Sequence, residues 1–181
     1  LNLNGDHANL LILKKRLEWR GVPSEIVAVF EPIDLATFDL VLLGHGSSAA
    51  WDDIESIDSS LVSNLVNLIN SNVPVLAVGS GYVKLMETLS SDALSRGEHV
   101  SQFNIFDGVV GYVNTDVELP EMAWLGKSML TLFHGPVLAK NPKLADEIIA
   151  KANWCDITLS SSELENADLL AKESRRIAFE D

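Results

Sequence analysis

Leu10, Leu13 and Leu17 recur at helical spacing among Lys14, Lys15, Arg16, Glu18 and Arg20, and Gly21 follows where a helix would stop. The spacing predicts an amphipathic helix over residues 9–20 whose basic side chains form a solvated face. The pattern then shortens. Residues 25–30 and 39–43 are β-branched or leucine-rich runs that predict strands of a sheet covered on both faces, the second ending in Gly44-His45-Gly46-Ser47-Ser48. The opening at Leu1-Asn2-Leu3-Asn4 is expected to be the tail of a strand whose earlier residues precede this numbering.

Asp52-Asp53-Ile54-Glu55 reads as an acidic loop, and beyond it Leu61, Leu65 and Leu68 share a helix face with Val62, Val66 and Ile69. A face so wide packs on a sheet. Residues 73–78 predict the next strand, Gly79-Ser80-Gly81 a sharp turn, and Tyr82, Leu85, Met86 and Leu89 one face of the helix after it. Strand, helix, strand, helix in that order predicts an α/β fold with a parallel sheet and right-handed crossovers. Between residues 95 and 125 the pattern weakens into pieces suited to antiparallel edge strands and loops. Residues 128–133 predict a strand ending in His134-Gly135-Pro136, and Asn141-Pro142 supplies an N-cap and first-turn proline for a helix burying Leu144, Ile148 and Ile149. A last helix over residues 161–175 is polar enough for the surface. The chain, 1–181, is read as one domain.

Charge narrows the partners. With 26 acidic and 13 basic residues the net charge is −13, which repels a phosphate backbone or an anionic membrane surface. Nucleic-acid binding and membrane insertion are therefore not expected, the latter also because no apolar run approaches the roughly 20 residues a bilayer needs. Cys155 is the single cysteine, so no intrachain disulfide or cysteine metal cluster forms and a reducing, cytoplasmic setting is expected. Cys155 itself reads as a half-buried structural thiol, and Trp19, Trp51, Trp124 and Trp154 as packing residues.

Ligands of open parallel sheets bind beyond the carboxyl ends of the strands, and three loops fall there: Gly44-His45-Gly46, Gly79-Ser80-Gly81 and His134-Gly135-Pro136. A strand-turn-helix elbow, a glycine loop beside it and a histidine from a later strand are the parts of a nucleophile, an oxyanion hole and a base. Each alone also has a plain structural reading, since glycines form turns and histidines cap strands.

The stretches Asn4-Gly5-Asp6-His7-Ala8-Asn9-Leu10, Pro74-Val75-Leu76-Ala77-Val78 with Gly81-Tyr82, and Leu132-Phe133-His134-Gly135-Pro136 running on to Asn141-Pro142 together resemble the class I (triad) glutamine amidotransferases. Within them the chain is most similar to the cobyric-acid-synthase-like branch and its glutaminase subunits of lipid II isoglutaminyl synthases. The resemblance covers roughly residues 4–152, with a gap in the middle, and implies a flavodoxin-like parallel sheet with helices on both faces. It also implies hydrolysis of glutamine by a cysteine thiolate, with ammonia passed to a Mur-ligase-like, ATP-dependent synthetase for lipid II and peptidoglycan amidation. No cofactor is implied. Corrinoid amidation is the competing pathway of the same branch. By motif, the nucleophile position is Gly79, the oxyanion donor Ser80, the histidine His134, and the substrate-binding glycine loop Gly44 to Gly46.

The chain departs from that pattern at the decisive atom. Gly79 has no thiol, Val83 replaces a usual glutamine, Ser47-Ser48 replace an acidic pair, and no arginine lies between Arg96 and Arg175. Three readings stay open: a catalytically impaired or inactive amidotransferase-like subunit, a glutaminase using another nucleophile such as Ser80 with His134, and a binding or scaffold module on the same fold.

Overall fold

The computed structural model describes residues 1–89, 103–106, 108–113, 117 and 119–180. The predicted alternation organises it. The first helix α1 (Ala8–Glu18) leads through a stretch without regular secondary structure and a single 3-10 turn (Leu35–Thr37) into β1 (Val41–Leu43). Helices α2 (Ser48–Ile57) and α3 (Leu61–Asn70), strand β2 (Val75–Val78) and helix α4 (Ser80–Thr88) follow. Strands β3 (Phe103–Phe106), β4 (Val109–Val113), β5 (Met122–Leu125), β6 (Ser128–Thr131) and β7 (Phe133–His134) come next. Helices α5 (Val137–Lys140), α6 (Pro142–Ala152) and α7 (Ser162–Glu180) close the chain.

The main sheet has the order β1-β2-β6-β5, parallel except for β5, which pairs antiparallel with β6. This is a mixed α/β architecture with a parallel-dominated sheet. All four residues of β2 are buried, as befits a central strand covered on both faces. Leu65, Leu85, Leu130 and Ile149 are fully buried from four different elements, so the helices pack on the sheet through one continuous core. Gly81 makes the close approach of α4 possible, because a Cβ there would stand 2.6 Å from the Leu43 carbonyl oxygen.

A smaller antiparallel sheet, β3-β4-β7, stands beside the first. It meets the expectation of antiparallel pieces for the part of residues 95–125 that is described; residues 95–102 lie outside the described residues. The strand predicted over residues 128–133 is two strands. Leu132 interrupts it, donating its N–H to Glu121 O while the Thr131 hydroxyl accepts from Phe133 N–H, and the chain passes from one sheet to the other. That break aims His134 across the end of β2.

Two further expectations are corrected and a third is refined. Residues 25–30 form no strand: among the described residues the segment's backbone has no ladder partner, and Phe30 is 84% exposed. The acidic stretch 52–55 lies inside α2, whose N-cap Ser47 accepts from Ala50 N–H, so a capped helix won over the local loop composition. Asn141 does occupy the N-cap position of α6, with Pro142 in the first turn, but its side chain does not bond the helix amides. Its side chain accepts from Val110 N–H and donates to Val110 O and Val137 O, tying β4 to α5 inside the core.

The basic face of α1 is also only partly solvated. Arg16, with a side chain 3% exposed, donates through Nε and Nη2 to both oxygens of Asp146 at 2.9 and 2.6 Å and through Nη1 to Asp168 at 2.7 Å. Arg20, equally buried, pairs with Asp146 at 2.9 Å. Burial opposes the Arg16 charge, but the hydrogen bonds to Asp146 and Asp168 outweigh it and raise its pKa. The network joins α1, α6 and α7.

Candidate functional site

The loops predicted to converge do converge. Gly79 has φ 56° and ψ −121°, a backbone conformation that penalises any side chain, and it sits between β2 and α4 in the geometry of a nucleophile elbow. Its N–H donates to Thr131 O, which anchors the turn to β6. A cleft of about 280 Å³ opens over it, lined among others by His45, Trp51, Lys84, Val83 and His134.

The space above Gly79 is filled by imidazole. His45 and His134 meet edge to face with ring centroids 4.5 Å apart. A Cβ placed on Gly79 would lie 2.7 Å from His45 Nδ1 and 2.7 Å from His134 Cε1. Sequence reasoning passed over His45, although an imidazole between two glycines at a strand end was the available signal.

The amides that would form an oxyanion hole are engaged within the protein. Ser80 N–H donates to His45 Nδ1 at 3.1 Å, and Gly46 N–H donates to the Ser80 hydroxyl at 2.9 Å. That hydroxyl also accepts from Trp51 Nε1 at 2.9 Å and donates to Gly46 O at 3.0 Å. One donated and two accepted bonds exhaust a serine's capacity. Ser80 therefore bolts the glycine loop to the elbow, and no lone pair is left over for attack. Gly44 lies under the N-terminal residues, against Leu1 and the Asp6 carboxylate, and Gly46 borders the cleft.

The N-terminal signature turns out to hold the loops in register. Asp6, fully buried, accepts from His45 N–H at 2.7 Å through one carboxylate oxygen and from Gly135 N–H at 2.8 Å through the other. Asn9, also fully buried, donates to Asp6 O and Gly135 O and accepts from Leu138 N–H. Asn4 Nδ2 approaches His134 Nδ1 at 3.0 Å, which makes Nδ1 the acceptor and leaves Nε2, buried and without a hydrogen-bond partner among the described residues, carrying the proton.

Burial, then the neighbouring His45, push the His134 pKa below the ordinary 6.5, with Asp6 pulling weakly the other way. The folded state thus holds His134 neutral. Because the unfolded chain binds this proton first, stability should begin to fall as pH drops below about 6.5 and stop falling from this source once the lowered folded value is passed. Urea midpoints measured across that window should show the slope in the natural protein and a shallower one in His134→Gln.

Cys155 is half-buried, and burial raises its pKa, which agrees with an inert thiol. Trp51 is buried at the site, while Trp124 and Trp154 pack against the core. Among the described residues no group of three or more His, Cys, Asp or Glu side chains could hold a metal ion, and no helix is long and apolar enough to cross a membrane. No family model matches the chain, and a search of curated proteins finds no significant match.

Proposed function

We propose that this chain is a class I glutamine-amidotransferase-like subunit with a flavodoxin-like fold, one that does not hydrolyse glutamine. One observation carries the loss of hydrolysis: the position of the nucleophile is a glycine whose Cβ space two imidazoles already fill, while both oxyanion amides are bonded internally. Hydrolysis needs a nucleophile, a base and free donors aimed at the developing charge, and here only the neutral base His134 is in place. The sequence motifs, the elbow backbone at Gly79 and the convergence of the three loops support descent from the glutaminase half of a two-subunit amidating enzyme. Its nearest analogue is then the GatD subunit that works with a Mur-ligase-like synthetase in lipid II amidation, and its role is docking or scaffolding.

Ammonia release from glutamine tests the reading, with and without the candidate synthetase. The natural protein should release none. Gly79→Cys should release none either, and should lose about 3 kcal/mol of stability through backbone strain and overpacking against the two rings. Combining it with His45→Gly removes one ring and frees Ser80 N–H, so about 1 kcal/mol should return. Glutaminase activity in the natural protein would sink the proposal and point to a nucleophile elsewhere.

A further inference from the structure

One bond joins the His45 ring to the elbow. Its Nδ1 accepts from Ser80 N–H at 3.1 Å, which requires Nδ1 to carry no proton and places the ring proton on Nε2. Ser80 is the first residue of α4, and a backbone N–H has no oxygen to offer in exchange. An imidazole that gains a second proton donates from both nitrogens. Two donors would then face each other at Nδ1, and turning the ring over only puts a carbon where the nitrogen stood. A second proton on His45 therefore costs the Ser80 bond in either orientation. His134 is placed differently. Its Nδ1 faces the Asn4 side-chain amide at 3.0 Å, and that amide can rotate to present its oxygen to a new proton.

The rest of the turn does not depend on the His45 ring. The Ser80 hydroxyl bonds Gly46 and Trp51, and Gly79 N–H bonds Thr131 O. Release of the ring thus opens the space over Gly79 without detaching the glycine loop from the elbow. The ring has room to leave, since it lines the cleft of about 280 Å³. Among the described residues, the titratable and charged groups around it are Asp6, His134, Asp52 and Lys84. The Asp6 carboxylate accepts from His45 N–H, the His134 ring meets it edge to face at 4.5 Å, and Asp52 and Lys84 line the same cleft. Lys84 is paired with Glu87, so the cleft sets the Asp52 carboxylate rather than a bare ammonium beside an imidazolium swung outward. We infer that His45 is a proton-operated latch: neutral, it closes the space over Gly79, and on gaining a proton it swings into the cleft and uncovers Ser80 N–H. The cleft then presents a free backbone donor only on the acid side. The latch rests on the bonds of the turn and holds whatever the descent of the fold.

Amide hydrogen exchange and imidazole nitrogen shifts, read by NMR on the whole chain from about pH 8 down to about pH 5, test the latch. Ser80 N–H protection, corrected for the pH dependence of intrinsic exchange, should fall about tenfold in step with protonation of His45 Nδ1. Gly46 and Gly79 N–H should keep theirs. His45→Asn puts an oxygen that does not titrate near the place of Nδ1, so Ser80 should stay protected at both ends of the range. His134→Gln should keep the response of the natural protein. Undiminished Ser80 protection with His45 doubly protonated would overturn the inference, as would a His45 still neutral at the acid end. So would a response that survives in His45→Asn or disappears in His134→Gln. Equal loss of protection at Gly46 and Gly79 would overturn it too, since the whole turn would then be opening. If His45→Asn fails to fold, the imidazole and amide signals of the natural protein decide by themselves.

Discussion

Replacing Asp6 by alanine should cost about 4 kcal/mol, because it strips the acceptor from two backbone N–H groups, His45 and Gly135, that have no other partner among the described residues. Bonds to an ionised acceptor are among the stronger ones, and here both fall inside the protein. Such a loss is a large part of the total stability of a domain this size. Asp6→Asn keeps one acceptor oxygen but turns an amide N–H toward the other donor, so about half the loss should remain. Urea denaturation with an unchanged slope would report it as a midpoint shift. A second reading comes from the site: with Asp6 gone, the glycine loop and the histidine loop lose their common anchor, and hydrogen exchange at the Ser80 and Gly46 amides should quicken. A small stability change with unaltered exchange would show that Asn9 alone holds these loops.

The second large effect is expected at Arg16. Arg16→Ala should destabilise by about 3 kcal/mol, since it removes a guanidinium that bonds Asp146 with two nitrogens and reaches Asp168 with a third. Arg20 still neutralises part of the Asp146 charge, which keeps the loss from being larger. Arg16→Lys preserves the charge but not the planar fork, and about half the loss should persist. Asp168→Asn should cost far less, because that side chain is 45% exposed and water can replace the pair. If Arg16→Lys proved neutral, charge alone would explain the network and the fork geometry would be incidental.

Much of the core was legible in the chain because its signals are local. Leu13 and Leu17 on α1, Leu65 and Leu68 on α3, Tyr82 and Leu85 on α4, and Ile148 and Ile149 on α6 are all buried, as their spacing requires. The elbow at Gly79 was legible for the same reason, since a buried strand running into Gly-Ser-Gly leaves few backbone solutions. Residues 25–30 show where the local signal misleads. They carry strand composition, but a strand exists only as a hydrogen-bonded partner of another, and composition cannot say whether the partner is there.

The sequence by itself determined the amphipathic helices α1, α3, α4 and α6, the parallel pairing expected of β1, β2 and β6, the apolar faces that make the core, and the absence of a thiol at the elbow. Each follows from periodicity, turn chemistry or residue identity, which act within a few positions along the chain. Only the tertiary structure decided that His45 and His134 share the space over Gly79, that Ser80 is consumed in bonds to Gly46 and Trp51, and that Asp6 joins two loops. Gly135 lies far from Asp6 in the sequence and Trp51 far from Ser80, so these contacts depend on how the elements pack. A packed interior admits one arrangement of such groups, and spacing along the chain carries no record of it.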